Sequence, residues 1–371
     1  MAGPGEPPPA GASDGGAASE ARGRPATLRA LARAAGVNPS TVSRVLNRDP
    51  SVRISEATRA RILDVAAATG YRPNRLARSL KLHRTQIIGM LIPDVTNPHF
   101  SALFRAVDDA ASAAGYHVIL CNTDDSSRRL QQHLDALSEG HVDGLLVAAA
   151  RRGGAALQTL RAQRLPYVLV NRHGDGPGDP WVVPDDRQAA HLAVAHLVGL
   201  GHRRIAHVAG SVAVSRSAAR LAGFREAMAA AGCSDEAWVA AAGDLDETAG
   251  EVGLAQLLAL PPAQRPTAVF AANDLAALGV ISAARRAGLR VPEELSVVGS
   301  DDVPAGRHAC PAVTTIQVPV AEMGRLATEL LVRQLRGETA GDAPPTRLVL
   351  PVTLVVRGST APPPAWGAGG R

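Results

Sequence analysis

Apolar residues recur at helical spacing in two short segments near the start of the chain. Leu28–Ala35 carries apolar residues three and four positions apart, and Gly36 follows as a helix end. Asn38 then stands where an N-cap would begin a second helix. Two short helices joined by a tight turn that contains glycine form a helix-turn-helix. The apolar stripe of the second helix is predicted to pack inward, and it consists of Val42, Val45 and Leu46.

The opposite face of the second helix is polar and is predicted to meet a partner. Pro39 suits the first helical position, because its φ is fixed and its missing N–H would have no partner there. Ser40, Ser43 and Arg44 face outward with it. A polar face of this kind on the second helix of a helix-turn-helix suits the major groove of DNA.

Two further helices are predicted before the texture of the sequence changes. The third begins at the N-cap Ser55 and runs to about Thr69, where Gly70 ends it. The fourth begins at Pro73 and ends near Lys81, so it has about two turns. A helix this short is unstable alone in water, and it therefore needs a partner in order to form.

From residue 86 onward, short apolar runs alternate with helical stretches, which is the pattern of parallel sheets flanked by helices. Two successive sets of predicted strands indicate two similar α/β lobes that face a cleft, where such sheets place ligands at their strand ends. The first set is 87–93, 117–121, 144–147, 167–170 and 181–183. The second set is 204–208, 268–271, 295–298, 315–318 and 348–356.

Charge changes this picture because it is unevenly distributed. Residues 22–84 contain fourteen basic residues and three acidic ones, within a chain whose net charge is +5. An arginine-rich cluster can be only a solvated face, but clustering on a helix-turn-helix favours phosphate binding. Residues 1–24 are rich in Pro, Gly, Ala and Ser, without the basic start and apolar run of a signal peptide. We therefore expect a disordered tail on a cytoplasmic protein.

Sequence motifs for other chemistry are weak. Cys121, Cys233 and Cys310 are odd in number and lack metal-ligand spacing, so we expect reduced, buried thiols. His191 and His196 are five residues apart, which separates them by about 140° on a helix and does not suit a shared metal. The sequence contains no G-x-S-x-G, H-E-x-x-H or P-loop. We expect no catalytic residues, no metal and no cofactor.

Two stretches near the start of the chain resemble the lactose/galactose repressor (LacI/GalR) family of bacterial transcriptional regulators. AGVNPSTVSRVLN resembles the recognition-helix segment of that family, and GYRPNRLARSLK resembles its hinge segment. The resemblance continues through IIGMLIPDVTNPHF, HLVGLGHRRIAHVAG, ARLAGFREAM, PTAVFAAND and LSVVGSDDVP to RLVLPVTLVVRGS. It implies an all-α helix-turn-helix DNA-binding head followed by an α/β, periplasmic-binding-protein-like effector module of two lobes.

This resemblance divides the chain and assigns its DNA contacts. We expect a tail over 1–24, a helix-turn-helix domain over 25–72, a hinge over 73–84, a two-lobe module over 85–356 and a flexible tail over 357–371. The expected DNA-binding residues of the head are Thr27, Asn38, Pro39, Ser40, Thr41, Ser43, Arg44, Asn47 and Tyr71. Those of the hinge are Asn74, Arg75, Ala77, Arg78, Leu80 and Lys81.

Leu80 is the least polar of these residues. Leu76 and Leu80 share a face of the hinge helix, with Arg75, Arg78 and Lys81 around them. We expect Leu80 to enter the minor groove as a wedge beside its twin from the second subunit and to bend the DNA. In the alternative, Leu80 packs on its own regulatory lobe.

The resemblance places five residues in contact with a small-molecule effector: Asn97, Phe100, Asp185, Arg220 and Asp274. Asp274 follows an apolar strand, so its carboxylate is expected at the carboxyl end of that strand. It can equally be a helix N-cap. Arg220 can donate several hydrogen bonds to a ligand, or it can pair with a surface carboxylate. Asp301 and Asp302 are expected to shape a loop and not to contact ligand.

The effector is expected to be a sugar or a sugar-like metabolite, and a nucleobase is the rarer answer in this family. The sequence lacks the aromatic platform typical of many members: His99, Ser300 and Leu245 occupy positions where aromatic residues are frequent. Two other classes of protein compete with this interpretation. A transport-type solute-binding protein would need an export signal and would have no use for residues 28–81, and an enzyme would need a catalytic constellation.

We therefore predict a homodimeric regulator, usually a repressor, that binds a palindromic operator and responds to an effector in the cleft between its lobes. Because no leucine heptad follows residue 356, we expect a dimer without a C-terminal tetramer bundle.

Overall fold

The computed structural model describes residues 27–46, 53–71, 84–163, 165–235, 238–243, 245–338 and 344–364. The chain divides into two compact units, one ending at His83 and one beginning at Arg84. In the part that is described, no helix is long and apolar enough to cross a membrane.

The described part of the first unit has three helices: α1 (Leu28–Ala35), α2 (Pro39–Leu46) and α3 (Glu56–Ala68). Their ends follow local chemistry. The Oγ1 of Thr27 caps α1 by accepting from the Ala30 N–H, Gly36 ends that helix at φ 63°, and the Oγ of Ser55 caps α3. The three helices bury a small core whose buried members are Leu31, Ala32, Ala35, Val42, Val45, Ile62 and Ala66. The predicted helix-turn-helix and its inward stripe at Val42 and Val45 are confirmed.

Several predicted DNA contacts lie outside the described residues. They are Asn47 after α2 and all six hinge positions, Asn74, Arg75, Ala77, Arg78, Leu80 and Lys81. The predicted fourth helix over 73–81 lies there as well. The expected roles of these residues therefore stay predictions.

The second unit contains two six-stranded sheets. The first has the order β11-β5-β4-β3-β1-β2, and the second β12-β10-β9-β8-β6-β7. All pairings are parallel except that of β10 with β12, which is antiparallel. The strands of the first sheet are β1 (Ile87–Ile92), β2 (His117–Asn122), β3 (Gly144–Val147), β4 (Tyr167–Val170), β5 (Trp181–Pro184) and β11 (Arg347–Leu350). Those of the second are β6 (Ile205–Gly210), β7 (Val239–Gly243), β8 (Ala268–Ala271), β9 (Ser296–Ser300), β10 (Thr314–Gln317) and β12 (Thr353–Val355).

Helices connect these strands as the alternating pattern predicted. They are α4 (Pro98–Ala113), α5 (Ser127–Ser138), α6 (Ala155–Ala162), α7 (Asp186–Gly199), α8 (Ser215–Ala230), α9 (Glu247–Leu258), α10 (Asp274–Arg286), α11 (Pro304–His308) and α12 (Val320–Leu335), with a 3-10 turn at Pro262–Gln264. Central strands such as β3 and β8 are buried along their whole length, which is why their sequences are continuous apolar runs.

We call the first sheet and its helices lobe 1 and the second sheet and its helices lobe 2. The chain passes between the lobes three times: after β5, after β10 and after β11. The last passage corrects the prediction of a single strand over 348–356. Residue Pro351 separates β11 from β12, and the two strands belong to different sheets. Strand β7 was not predicted, because its alanine-rich sequence Val239–Gly243 lacks β-branched and aromatic residues after its first position.

The expectations for the three cysteines and for the segment from residue 357 need correction. Of the three free cysteines, only Cys233 is buried; Cys121 is half-buried and Cys310 is exposed beside Pro311. The segment from residue 357 was expected to be a flexible tail, but its first residues pack on lobe 2. Ser359 is fully buried, where its Oγ donates to the Val297 carbonyl at 2.6 Å and accepts from the Thr314 N–H.

Candidate functional site

The outward face of α2 is the candidate surface on the first unit. Ser40 and Arg44 are exposed, and Pro39, Thr41 and Ser43 are half-buried. The amide oxygen of Asn38 accepts from both the Ser40 N–H and the Ser40 Oγ, at 3.0 and 2.9 Å, and this fixes the start of the helix. Thus the polar residues predicted for α2 share one side of the helix.

Thr27 and Tyr71 have structural contacts in this unit in addition to their predicted DNA contact. Thr27 is the N-cap of α1, with its Oγ1 3.2 Å from the Ala30 nitrogen. Tyr71 is half-buried, its ring packs against the core of the three helices, and its N–H donates to the Ala66 carbonyl. Neither contact tests the predicted role in DNA binding.

The second unit contains an enclosed cavity between the carboxyl ends of its two sheets. Lobe 1 supplies residues from the start of α4 and from the loop after β4, whereas lobe 2 supplies residues from α8 and from the ends of β8 and β9. The cavity has a volume of about 20 Å³, which is room for about one water molecule. Its lining residues are Asn97, His99, Phe100, Asn171, Arg172, Val214, Arg216, Ser217, Arg220, Leu245, Asn273 and Asp301.

Two backbone contacts close the rim of this cleft. The Arg152 N–H of lobe 1 donates to the Ala213 carbonyl of lobe 2 at 2.8 Å. The His173 N–H of lobe 1 donates to the Ser215 Oγ of lobe 2 at 2.9 Å. The loops after β3 and β4 of lobe 1 therefore both contact residues 213–215 at the start of α8 in lobe 2.

Arg216 is the centre of the cavity's polar network. Its Nε lies 3.0 Å from Asp186 Oδ2, its Nη2 3.2 Å from Asp301 Oδ1, and its Nη1 3.0 Å from Asn171 Oδ1. Burial works against the guanidinium charge, but Asp186 and Asp301 outweigh it and raise the pKa of Arg216. Because Asn171 belongs to lobe 1, Arg216 joins the two lobes.

Arg220 lies one helical turn after Arg216 and points to the same cavity. Its guanidinium pairs with Asp186 and donates to the carbonyl of Ala272. The alternative of a surface carboxylate partner is therefore wrong, because both Arg220 and Asp186 are buried. In the part of the chain that is described, the Arg220 Nε and the Ser217 Oγ are buried without a hydrogen-bond partner.

His99 makes a second bridge between the lobes. Its Nε2 lies 2.9 Å from Asn171 Oδ1, and its Nδ1 lies 3.4 Å from Asp301 Oδ1. Burial lowers the pKa of His99, which Arg216 lowers further and Asp301 raises in part. For Asp301, burial raises the pKa, but His99, Arg216 and Arg220 overcome that effect and lower it. We therefore treat His99 as neutral and Asp301 as ionised at neutral pH.

Asn97 and Phe100 stand at the start of α4, where both line the cavity. Asn97 caps the helix by accepting from the His99 N–H at 3.0 Å. The guanidinium carbon of Arg172 lies 6.0 Å from the centre of the Phe100 ring, and the same guanidinium pairs with Asp125 at 2.6 Å.

Asp185 and Asp274 are not among the lining residues of the cavity. Asp185 is the N-cap of α7 and accepts from the Gln188 N–H. Asp274 is 1% exposed and accepts from Thr315 Oγ1 at 2.5 Å and from the Val303 N–H at 2.8 Å. Burial raises the pKa of Asp274 to about 7. The predicted effector contacts of both residues stay predictions, and the structure instead gives both carboxylates backbone partners.

In both cases a residue directly adjacent in the sequence belongs to the cavity lining or to the polar network around it. Asn273 lines the cavity, and Asp186 binds the two arginines behind it. Gly299 leaves room for the Asp274 carboxylate, since a Cβ at that position would clash with Asp274 Oδ1. The structure thus brings together Asn97, Phe100 and Arg220 of the five predicted effector contacts.

Sequence reasoning missed several lining residues, of which Arg216, Asn171 and Asp301 matter most. Arg216 was available as the residue four before Arg220, on the same helical face. Asn171 and Asp301 directly follow β4 and β9, at φ 65° and 111°, a backbone region that Asn and Asp tolerate better than most residues. Asp301 was expected to shape a loop and not to contact ligand; it lines the cavity, and whether it contacts ligand stays untested.

Asp302, by contrast, does hold its loop as predicted. It binds Arg357 at 2.5 Å, Arg307 at 2.8 Å and the Gln317 amide at 3.0 Å.

A second, more open cavity of about 640 Å³ lies next to the first, and His99 and Asp301 line both. Across the described ranges, no group of three His, Cys, Asp or Glu residues could hold a metal ion.

Comparison with protein families matches two parts of the chain. Residues 27–74 match the family described as bacterial regulatory proteins, lacI family. Residues 194–360 match the periplasmic binding protein-like domain. These ranges contain the three-helix unit and most of lobe 2.

Individual relatives extend the similarity to nearly the whole chain. The ribose operon repressor of Escherichia coli (strain K12) is 37% identical over 337 residues, which cover 90% of this chain and 99% of that protein. The structure of the transcriptional regulator CelR in complex with cellobiose is 34% identical, with a TM-score of 0.69 and 90% and 99% coverage. The lac repressor dimer bound to operator and the anti-inducer ONPF is 27% identical, with a TM-score of 0.80 and coverage of 91% and 100%.

Proposed function

This chain belongs to the LacI family of bacterial transcriptional regulators, and we propose that it acts as a homodimer on a roughly palindromic operator. It is a repressor-family protein that binds operator DNA under the control of an effector, and it is not an enzyme. Two heads related by a twofold axis read two half-sites of such an operator. The lac repressor, a dimer on its operator, supports this assembly. A regulator of this kind acts in the cytoplasm, where the DNA is.

The α2 face is the proposed base-reading surface, with Arg44 and Ser40 exposed on it. Arginine donates two parallel hydrogen bonds to guanine in the major groove, so Arg44 is the residue of this face best suited to specific readout. Thr27, Asn38, Pro39, Thr41, Ser43, Asn47 and Tyr71 complete the proposed contacts of the 25–72 domain.

For the two-lobe module over 85–356, we propose a sugar or a related metabolite as the effector. The relatives that support this are a ribose operon repressor and a regulator in complex with cellobiose. Asn97, Phe100 and Arg220 remain the proposed contacts of this chain, joined by Arg216, Asn171 and Asp301. Asp274 directly follows the lining residue Asn273, whereas neither neighbour of Asp185 lines the cavity; both carboxylates are proposed to act through the helix starts at α7 and α10.

One observation carries the proposal: a buried polar network in the cavity joins the two lobes. Asn171 of lobe 1 accepts from Arg216 of lobe 2, and His99 of lobe 1 lies against Asp301 of lobe 2. A ligand in the cavity must compete with these contacts or add to them. Either change alters the relative stability of different lobe orientations, which is the differential interaction that a ligand needs in order to shift a conformational equilibrium.

The hinge over 73–84 is the proposed route from the lobes to the DNA. Changed lobe orientation alters the spacing of the two hinges of a dimer and thereby decides whether their short helices form on the operator. Within this hinge we propose that Leu80 wedges into the minor groove, among the DNA contacts of Asn74, Arg75, Ala77, Arg78 and Lys81. Arg75, Arg78 and Lys81 carry the charge that binds phosphates.

A thermal-shift screen coupled to DNA binding tests the proposed function. The purified chain is heated with individual sugars, polyols and nucleobases, and compounds that raise the unfolding temperature are then titrated into the chain on an operator selected from random DNA. A cleft ligand must stabilise the fold and must also change operator affinity.

The Asn171→Leu variant is the matched control for this screen, because a leucine side chain at that position could not accept a hydrogen bond from His99 or Arg216. Because these contacts join the lobes, the operator affinity of the variant is first measured without compound, and the compound is then expected not to change it. A compound that changes operator affinity equally in both proteins would contradict an effector site in the cleft.

A further inference from the structure

Helix α8 presents its amino-terminal end to the cavity. Arg216 and Ser217 belong to its first turn and line the cavity, and the N-cap residue Val214 makes no side-chain cap. The first N–H groups of a helix have no partner within the helix, and they carry a partial positive charge. Such an end binds anions when nothing else satisfies it.

Two buried side-chain atoms give independent evidence of a ligand group at this place. The Ser217 Oγ and the Arg220 Nε have no hydrogen-bond partner in the part of the chain that is described, although each residue is only 2% exposed. Both residues line the cavity. A third atom of this kind in the lining, His99 Nδ1, faces the Asp301 carboxylate at 3.4 Å.

The Ser217 Oγ and the Arg220 Nε can each donate a hydrogen bond, whereas each amide oxygen of Asn97, Asn171 and Asn273 already accepts at least one. The Oδ1 of Asn97 accepts from His99 N, that of Asn171 from His99 and Arg216, and that of Asn273 from Ala276 N. A carboxylate or phosphate oxygen only accepts, so it fits the free donors without leaving a buried proton unpaired. A hydroxyl group can also accept from these two donors, and the Asp301 carboxylate of the lining can accept its proton, so the charges of the lining decide between the two kinds of group.

The charges in the lining favour a carboxylate or phosphate. Among the described residues, three arginines line the cavity, Arg172, Arg216 and Arg220, together with one carboxylate, that of Asp301. The carboxylates of Asp186 and Asp125 pair with these arginines but are not part of the lining. An anion at the end of α8 therefore meets two guanidinium groups, and charge-assisted hydrogen bonds of this type are the stronger ones.

We propose that the effector carries an anionic group, a carboxylate or a phosphate, which binds at the amino-terminal end of α8 between Arg216, Ser217 and Arg220. This inference rests on the proposed function, because it specifies the chemistry of the effector in the same cleft. The effector is thus a sugar acid, a sugar phosphate or a similarly charged metabolite.

Matched triplets of compounds test the proposal by calorimetry on the full chain at constant ionic strength in chloride. The probes are ribose, ribonate and ribose 5-phosphate, then glucose, gluconate and glucose 6-phosphate, with inorganic phosphate and acetate alone. In at least one triplet, an acidic member is expected to bind at least tenfold more tightly than the neutral sugar. Preference for the acid or for the phosphate distinguishes the two sources of charge. Neutral sugars that bind as tightly as their acids would overturn the proposal.

Two variants locate the anion. Arg216→Gln and Ser217→Ala are expected to weaken binding of the preferred anion by about tenfold or more, which is about 1.4 kcal/mol per factor of ten. Arg225→Gln, on the exposed side of the same helix, is expected to bind as the unmodified chain does. If Arg216→Gln does not fold, Ser217→Ala decides, since it removes one oxygen only. Unchanged anion affinity in Ser217→Ala, or no binding of any anionic probe, would show that no anion binds at the amino-terminal end of α8.

The same measurements separate this inference from the proposed function. If neutral sugars bind and change operator affinity, and anions do not compete with them, the proposed effector control is supported and the proposed anion site is wrong. If Ser217→Ala weakens anion binding but the anion does not change operator affinity, the anion site is supported and the proposed control of DNA binding by this cleft is wrong.

Discussion

Helix α2 and the cleft both depend on arginine, but they place it in opposite surroundings. Arg44 is exposed and its neighbours on α2 are short polar side chains. Arg216 and Arg220 are buried, and they share Asp186 while Arg216 also binds Asp301. An exposed guanidinium is available to a partner as it stands, whereas a buried one is part of the fold before any ligand arrives. The first can therefore be removed at little cost in stability, and the second cannot.

The largest effect that this comparison predicts is on stability, in Asp186→Ala. The substitution leaves two buried guanidinium groups without their shared carboxylate, so we expect the two-lobe unit to lose about 3–5 kcal/mol in its free energy of unfolding. Urea denaturation followed by circular dichroism measures it.

Glu226→Ala is the control for that measurement, because Glu226 pairs with Arg187 on the exposed surface. We expect this variant to unfold nearly as the unmodified chain does. Similar denaturation midpoints for the two variants would show that the buried network contributes no more than a surface ion pair.

The next effect is on pH dependence and involves Asp274, whose pKa is raised to about 7 by burial. Because the folded state holds this proton more tightly than the unfolded one, the stability contributed by Asp274 is fully present below about pH 4. It is lost as the pH rises through about 7. Asp274→Asn keeps a neutral side chain at every pH. It is therefore expected to exceed the unmodified chain in stability at pH 8, by up to about 4 kcal/mol.

Urea midpoints at pH 5 and pH 8 measure this difference, which should be smaller at pH 5. We also expect Asp274→Asn to bind effector with unchanged affinity, because Asp274 does not line the cavity. An Asp274→Asn protein that folds but loses its effector response would support the direct contact predicted from the sequence.

On the exposed side of the comparison, Arg44→Ala is expected to weaken operator binding by about 1–3 kcal/mol, with much less effect on random DNA. The reason is that Arg44 is positioned to read base edges, whereas binding to random DNA depends on phosphate contacts. Fluorescence anisotropy with the selected operator and a scrambled duplex measures both affinities. Equal losses on the two duplexes would make Arg44 a phosphate contact only.

The smallest effect concerns a residue that supports the head from its edge. Ser55→Ala removes the oxygen that accepts from the Thr58 N–H at 3.2 Å and caps α3. We expect the head to lose about 1 kcal/mol of stability, and native-state hydrogen exchange of α3 amides measures it. Ser55→Asp should restore the cap, and if it does not, the hydroxyl has another role.

The two regions also differ in how far the sequence predicts them. The face of α2 follows from the helical period within eight residues, so the inward Val42 and Val45 and the outward Arg44 were all predicted. The cleft depends on which residue of a strand-to-helix turn points inward, and adjacent residues differ there. Asp274 was predicted where Asn273 lines the cavity, because the pattern locates the strand end only to within a residue.

Contacts across the cleft were beyond sequence reasoning for a different reason. Asn171 and Arg216 are 45 positions apart in separate lobes, and only the closure of the lobes brings them together. The positions of strands along the chain, by contrast, were predicted from local patterns, as in Gly144–Val147 and Ala268–Ala271. Periodicity therefore predicts elements and their faces, but the meeting of distant turns depends on tertiary structure.

The two contacts at the rim, Arg152 with Ala213 and His173 with Ser215, have a consequence for the timing of the response. A molecule that reaches an enclosed cavity must wait for the rim to open, and so must a molecule that leaves. We therefore expect association and dissociation both to be slower than for a ligand of an open cleft, so that residence times are long. Such a regulator averages the effector concentration over its residence time, so transcription would follow sustained changes in supply and ignore brief ones.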